Sequence, residues 1–367
     1  MRVLHFYKTY KPDSYGGVEQ LIWQLCTNSP KYGIESNVLT VSKAHGSVRL
    51  ENHNHYRVRQ DFSIASTNFS LNAISAFRKY ASEADIVHYH FPYPFADLLH
   101  FTSRIDKPTI VTYHSDIVKQ KKLLAIYRPL MLRFLDRVDK IIATSPNYLE
   151  SSEVLKNYTY KTEVIPIGID QDSYPSPDNE RMQKWRSRIG QRFFLFLGNL
   201  RYYKGLDVLL AALKNTSYPV VIAGSGREEI ALKAQAKNLN LKNVIFLGEI
   251  SELDKVSLLK LTEAMVFPSN FRSEAFGISL IEASMYGKPM ISCEIGTGTS
   301  FVNIDNCTGI VVPPNDTTAL RAALDYIWEN RVKATEWGRN ARLRYEERFT
   351  GEAMTNLYAS TYKKLLR

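Results

Sequence analysis

The feature that most constrains this chain is an alternation of two periods that runs, stops and starts again. Short runs rich in β-branched and aromatic residues at 3–6, 38–41, 86–89, 109–113, 140–144 and 163–165 are interleaved with stretches of helical period at 18–27, 71–81 and 123–135. Strands separated by helices form parallel sheets, because a crossover back to the same edge of a sheet needs the length of a helix. The segment Ile167-Gly168-Ile169-Asp170-Gln171-Asp172-Ser173-Tyr174-Pro175-Ser176-Pro177 then breaks both periods with Gly, Pro and small polar residues, which marks a linker. Beyond it the alternation resumes, with strands expected at 193–197, 220–223, 244–247, 264–267, 290–292 and 310–312, and helices at 228–238, 253–261 and 278–286. The expectation is an α/β protein of two Rossmann-like units, residues 1–170 and 171–349, with a helical tail at about 350–367 packing back on the first. A length of 367 residues agrees, since it exceeds what one hydrophobic core usually serves.

Forty-seven Lys and Arg against 37 Asp and Glu leave a net charge of +10, which admits nucleic acid, an anionic membrane or a phosphate-bearing ligand as partner. The basic residues are dispersed among acids and no recognised nucleic-acid motif is present, so a nucleic-acid partner is not expected. Cys26, Cys293 and Cys307 are an odd count at wide spacing without a CxxC, which supports neither a disulfide framework nor a cysteine metal site. The start of the chain has no apolar signal-peptide core, and no span approaches the ~18 apolar residues of a membrane-crossing helix. A cytoplasmic protein, soluble or peripheral, is expected.

Several motifs can carry chemistry. Gly16-Gly17 lies between the first strand and the first helix, where two glycines let a ligand approach the backbone and the helix-start amides attract an anion; a plain tight turn uses the same residues. His114 and Asp116 follow a strand at its carboxyl end, the edge that faces ligands in open α/β sheets, so His114 can donate to a substrate oxygen. His88 and His90 share one face of their strand, but a metal needs a third ligand. Arg201 and Lys204 stand in the loop after a strand, where two cations suit a diphosphate. The richest segment runs from Phe267 to Ala283: a strand end, a loop carrying Glu274, and a helix beginning near Gly277, with the amides of Gly277, Ile278 and Ser279 as anion donors and Glu282 one helical step inside. The bland alternative is a helix entry with one capping and one solvated acid.

Glu274 and Glu282 with seven residues between them, the Gly16-Gly17 loop, the strand-end His114 and the Lys204-Gly205 pair, in this order, resemble the retaining nucleotide-sugar glycosyltransferases of glycosyltransferase family 4. The resemblance spans nearly the whole chain and implies a GT-B architecture, two Rossmann-like domains facing a central cleft, with the acceptor held mainly by the first and the nucleotide-sugar donor by the second. Carried over by position, Glu282 would bind the ribose hydroxyls, Glu274 with the amides of Phe276 and Gly277 would hold the donor hexose, and Ile278 would also stand at the donor. Arg201 and Lys204 would neutralise the diphosphate, Gly16 and Gly17 would approach it, and His114 would contact the sugar near its reacting carbon. Many members have Arg directly after the strand-end glycine; here that place is Asn199, and Arg201 follows two residues on. The family's chemistry needs no metal and no other cofactor. The opening stretch and the segment 198–205 look most like bacterial O-antigen and exopolysaccharide mannosyltransferases, which implies GDP-mannose as donor, a UDP-hexose being the alternative, and a polyprenyl-diphosphate-linked saccharide as acceptor. Lys119, Lys121 and Lys122 would then contact the inner face of the cytoplasmic membrane, or simply form a solvated helix face. From other classes, a non-hydrolysing sugar-nucleotide epimerase shares the architecture without explaining Glu274 and Glu282, and a silent nucleotide-binding module remains an alternative that turnover would dismiss.

Overall fold

The apolar runs of the sequence become strands in the computed structural model of the protein, which describes residues 1–64, 67–118 and 121–367. The chain divides into two units, one formed by Met1–Ile169 with Gly351–Arg367 and the other by Asp170–Thr350.

The first unit begins with β1 (Arg2–Tyr7), α1 (Gly17–Asn28), β2 (Glu35–Ser42), β3 (Gly46–Leu50) and β4 (His53–Arg59). A small hairpin of β5 (Phe62–Ile64) and β6 (Thr67–Phe69) leads to α2 (Asn72–Glu83), β7 (Ile86–Phe91), α3 (Pro94–Ser103) and β8 (Thr109–Tyr113). Then come α4 (Lys121–Arg137), β9 (Lys140–Ala143), α5 (Pro146–Ser151) and β10 (Thr162–Val164). Among the described residues the main sheet runs β10-β9-β8-β7-β1-β2-β4-β3. Its neighbours are parallel apart from the β3/β4 pair. The chain departs from β1 first to one side and then, through β7, to the other, so the topological switch point lies between β1 and β7. Every residue of β7 and β8 is buried. Burial on both faces is why these strands read as continuous apolar runs, and why the histidines within β7 must find partners inside.

The β3/β4 pair and α3 were not legible from period. In β4, with sequence HNHYRVR, and in β3, with GSVRL, charged residues sit where an apolar face would show. β3 is the strand at this edge of the sheet, and its polar residues keep that edge from pairing with another chain.

The second unit contains α6 (Asn179–Ile189), β11 (Phe194–Leu197), α7 (Leu206–Ala212), β12 (Val220–Ala223), α8 (Glu229–Asn238) and β13 (Val244–Gly248). It continues with α9 (Glu252–Leu261), β14 (Ala264–Phe267), α10 (Ile278–Met285), β15 (Met290–Cys293), α11 (Gly298–Val302), β16 (Gly309–Val312), α12 (Thr317–Glu329) and α13 (Arg331–Arg348). The parallel sheet runs β13-β12-β11-β14-β15-β16, with its switch point between β11 and β14. The core joins the strands to α7, α8, α12 and α13 through buried residues such as Phe194, Phe196, Leu209, Ile222, Leu324 and Trp337. Side chains cap the helices where capping residues stand: Asp178 accepts from Arg181 N at 2.8 Å, Ser251 from Asp254 N at 3.1 Å and Asp316 from Ala319 N at 2.8 Å. Helix α6 has a narrow apolar stripe, Met182, Trp185 and Ile189, among many charges, and polar ties hold it too: Trp185 Nε1 and Arg181 Nη1 both donate to Asp254 Oδ1, at 2.9 and 2.7 Å.

The last helix, α14 (Gly351–Leu365), belongs to the first unit. Tyr358 and Tyr362 on it reach the sheet, with their hydroxyls 2.8 Å from Thr112 Oγ1 and 2.7 Å from His88 Nδ1. Among the described residues no helix is long and apolar enough to cross a membrane.

Candidate active site

In the second unit the loops after β11 and β14, the two strands flanking the switch point, are tied together. Asn270 N donates to Tyr203 O and the Tyr202 hydroxyl meets Ser273 Oγ, each at 3.0 Å. Gly205 makes the approach possible: its φ is +63°, and a Cβ there would stand 2.0 Å from the Pro268 carbonyl oxygen. The loops bring together Lys204 and Glu274, 70 residues apart, whose Nζ and Oε2 are 2.5 Å apart with side chains only 10% and 12% exposed. Ser269 Oγ donates to the same Oε2 at 3.2 Å, while the ammonium lies 4.6 Å from the centre of the Phe267 ring. Glu274 Oε1 has no hydrogen-bond partner among the described residues, which leaves an acceptor for a ligand hydroxyl.

Phe276 is buried, and Gly277, at φ +88°, turns the chain into α10 without any side-chain cap, so no side-chain oxygen satisfies the amides of the first turn. Arg201 opens the turn before Lys204, is exposed, and has no ion pair among the described residues. Glu282 is buried on α10, where its Oε1 receives Tyr174 Oη and Lys255 Nζ, both at 2.9 Å. Burial would push the Lys255 ammonium down, but the Glu282 and Glu252 carboxylates outweigh it and hold it above the ordinary lysine value. Glu282 Oε2 has no partner among the described residues. Neither Lys255 nor Tyr174 was expected: one comes from another helix and the other from the linker, and nothing local in the sequence signals either.

In the first unit, Gly16 is extended and precedes α1, which likewise starts at Gly17 without a side-chain cap. Glu19 in the first turn accepts from Thr9 Oγ1 at 2.8 Å and Ser14 Oγ at 2.9 Å, which fixes the loop. Lys8 follows β1; burial lowers its ammonium and Glu19 opposes that shift. His114, just past β8, is buried and begins a chain of rings. Its Nε2 is 3.1 Å from His90 Nδ1, and His90 Nε2 is 3.1 Å from His5 Nδ1. Asp116, two residues on, accepts from Tyr113 and Ser152, each at 2.8 Å. His5, His88 and His90 form the three-histidine group that a metal would require, with ligand atoms within 4.8 Å of one another. Five of their six ring nitrogens hold hydrogen bonds within the protein, His5 Nε2 being the exception. Lys119 and the Lys121 side chain lie outside the described residues; Lys122 is exposed near the start of α4.

Burial, with His53 adding to it, pushes the His5 ring down to about 3. Burial and then the Lys8 ammonium bring His114 to about 3 as well. His53, His55 and His100 are pushed to about 4, chiefly by burial. The unfolded chain takes up a proton at each as the pH falls through about 6.5, and the folded chain does not. Stability from these rings is therefore whole above pH 6.5 and lost on acidification, at about 1.4 kcal/mol per pH unit per histidine. We expect urea unfolding midpoints to fall steeply from pH 7 to pH 5; a flat profile would contradict the burial of these neutral rings.

Comparison with known proteins gives the family and the fold. The family model described as "Glycosyltransferase Family 4" matches residues 15–173, and that described as "Glycosyl transferases group 1" matches residues 177–344. The chain is 55% identical to D-rhamnosyltransferase WbpZ of Pseudomonas aeruginosa, over 95% of this chain and 92% of that one. It is 49% identical to O-antigen chain mannosyltransferase C of Escherichia coli, over 100% and 99%. Among solved structures, sucrose-phosphate synthase of Thermosynechococcus elongatus superposes with a TM-score of 0.83 at 21% identity, covering 99% and 98% of the two chains. The chain-long relatives, together with two Rossmann-like units, make the protein a GT-B glycosyltransferase. The chain belongs to glycosyltransferase family 4 and is a hexosyltransferase.

Proposed function

We propose that the protein transfers mannose from GDP-mannose, with retention at the anomeric carbon, to a saccharide carried on a polyprenyl diphosphate in the assembly of a lipopolysaccharide O-antigen or an exopolysaccharide. The observation that carries this reading is the chain-long identity to the E. coli O-antigen chain mannosyltransferase. The D-rhamnosyltransferase relative favours a second reading, in which the hexose is D-rhamnose. D-Rhamnose is 6-deoxy-D-mannose, so the two donors differ by one hydroxyl. A UDP-hexose is the remaining alternative.

In this mechanism the departing nucleoside diphosphate leaves an oxocarbenium-like sugar, and the enzyme's task is to stabilise the charge on the leaving group. Lys204 supplies a point charge and Arg201 a guanidinium free to grip two oxygens, while the amides of Phe276, Gly277 and Ile278 add donors at the positive end of α10. Glu274 Oε1 accepts a hexose hydroxyl and Glu282 Oε2 a ribose hydroxyl. Gly16 and Gly17 allow a phosphate close to the backbone, and His114 donates to a sugar oxygen near the reacting carbon. The acceptor attacks from the side the diphosphate leaves, without a covalent intermediate and without a metal step. The acceptor's lipid places the work at the inner face of the cytoplasmic membrane. There Lys119, Lys121 and Lys122 would each add about 1 kcal/mol on an anionic surface; changing all three to Glu should weaken binding to anionic vesicles, and unchanged binding would refute that role.

The test is a thermal-shift series with GDP-mannose, GDP-D-rhamnose, UDP-glucose and UDP-N-acetylglucosamine. A donor at a hundred times its Kd stabilises by about 2.7 kcal/mol. Stabilisation by GDP-mannose above the others is expected, a preference for GDP-D-rhamnose would select the second reading, and a response to UDP-sugars alone would overturn both. Transfer that persists in excess chelator and requires an acceptor separates the enzyme from a metal-dependent transferase and from an epimerase.

A further inference from the structure

We propose that His90 and His5 hold His114 in a single neutral tautomer, with its proton on Nδ1, so that His114 meets its substrate as a hydrogen-bond donor. The inference rests on the reading of His114 as a sugar contact, and it assigns His90 and His5 as positioning residues.

The argument is a count of protons. His114 Nε2 faces His90 Nδ1, and His90 Nε2 faces His5 Nδ1, both at 3.1 Å, and all three rings are buried. Burial keeps them neutral, so three N–H groups are shared among six nitrogens. Each of the two contacts needs one N–H and one lone pair, and a neutral ring that donates at one nitrogen must accept at the other. Only two arrangements of the whole chain exist. In one, His114 donates from Nε2 to His90, His90 donates from Nε2 to His5, and the last proton stands on His5 Nε2. That atom is buried and has no partner among the described residues. In the other, His5 donates from Nδ1, His90 donates from Nδ1, and His114 keeps its proton on Nδ1, outside the chain, an atom that is not among the fully buried ones without a partner; the fully buried group left unmatched is then a lone pair on His5 Nε2. A buried N–H with no acceptor is the rarer orphan in folded proteins, so the second arrangement holds.

His88 provides an internal control. Its ring stacks on His90 at 4.4 Å and lies 4.8 Å from His5, yet its nitrogens bond to Thr112 and Tyr362 instead, so it shares the packing without entering the chain.

The experiment is a long-range proton–nitrogen correlation spectrum of the free, full-length protein labelled with 15N-histidine at pH 7. His114 is expected to show a protonated Nδ1 and a bare Nε2. His90→Leu should mix the His114 tautomers and lower kcat by about tenfold or more while donor KM stays within about threefold. His90→Asn, which keeps an N–H near the place of Nδ1, should retain the tautomer and most of kcat, and His88→Gln should leave the tautomer unchanged. A wild-type His114 protonated on Nε2 or on both nitrogens, or a His90→Leu spectrum in which its tautomer does not move, overturns the inference. Should His90→Leu not fold, the wild-type spectrum decides alone. Because the spectrum is read without any sugar nucleotide, a wrong donor or acceptor would show in turnover and leave this test standing.

Discussion

Replacing Lys204 with Met is expected to lower transfer by at least about a hundredfold and to destabilise the second unit by about 3 kcal/mol. The two losses have different origins. The first is the removal of a cation from the charge that develops on the leaving diphosphate. The second follows from the 2.5 Å pair with Glu274: with both side chains nearly buried, taking away the ammonium leaves a carboxylate without its counter-charge. Glu274→Leu should do the same in reverse. The double variant, Lys204→Met with Glu274→Leu, should recover most of the lost stability, since two apolar side chains of similar volume replace a pair whose desolvation largely offset its attraction. It should recover none of the transfer. Urea denaturation and a coupled assay measure both on the same preparations; a double variant no more stable than the singles would show that the pair does not act as a unit.

Gly205→Ala is expected to abolish measurable transfer without touching any group that contacts substrate. Its φ of +63° costs an L-residue about 1–2 kcal/mol, and its new Cβ would lie 2.0 Å from the Pro268 oxygen, so the loops carrying Lys204 and Glu274 must move apart. Misplacement of about 1 Å is enough to cost about a hundredfold in rate. Gly248→Ala is the control, because φ there is +68° and nothing lies within 4 Å of its Cβ, so it has the backbone cost without the collision. Stability should fall further in Gly205→Ala than in Gly248→Ala, by about 1–3 kcal/mol. Equal losses would mean that the contact with Pro268 does not hold the site.

Much of the candidate site could be read before any coordinates, for a local reason. The strand at 264–267, the irregular loop with Glu274 and the helix from Ile278 follow one another within about twenty residues, each with its own signal: an apolar run, a glycine turn and a helical period. The same holds for β11 and Lys204. What stayed hidden was partnership. His5 and His90 are separated by 85 residues and Lys204 and Glu274 by 70, and no pattern along the chain announces such pairs. Lys255, on α9, and Tyr174, in the linker segment, converge on Glu282 with no local signal that they would. In the fold, the missed elements include β3 and β4, whose polar residues break the apolar alternation, the short helices α3 and α7, and α6, tied by Trp185 and Arg181 to Asp254.

The membership of α14 sets an order of events during synthesis. The second unit is one unbroken stretch, Asp170–Thr350, whereas the first takes its last helix from Gly351–Leu365. A ribosome finishes every strand of the first unit early, but Thr112 and His88 wait for the Tyr358 and Tyr362 hydroxyls until the whole second unit has been made. The nascent first unit therefore passes that interval with one helix-sized face of its sheet layer uncovered. A chain cut short before residue 351 would lose nothing from its second unit, and it would be the first unit, far away in sequence, that failed to mature.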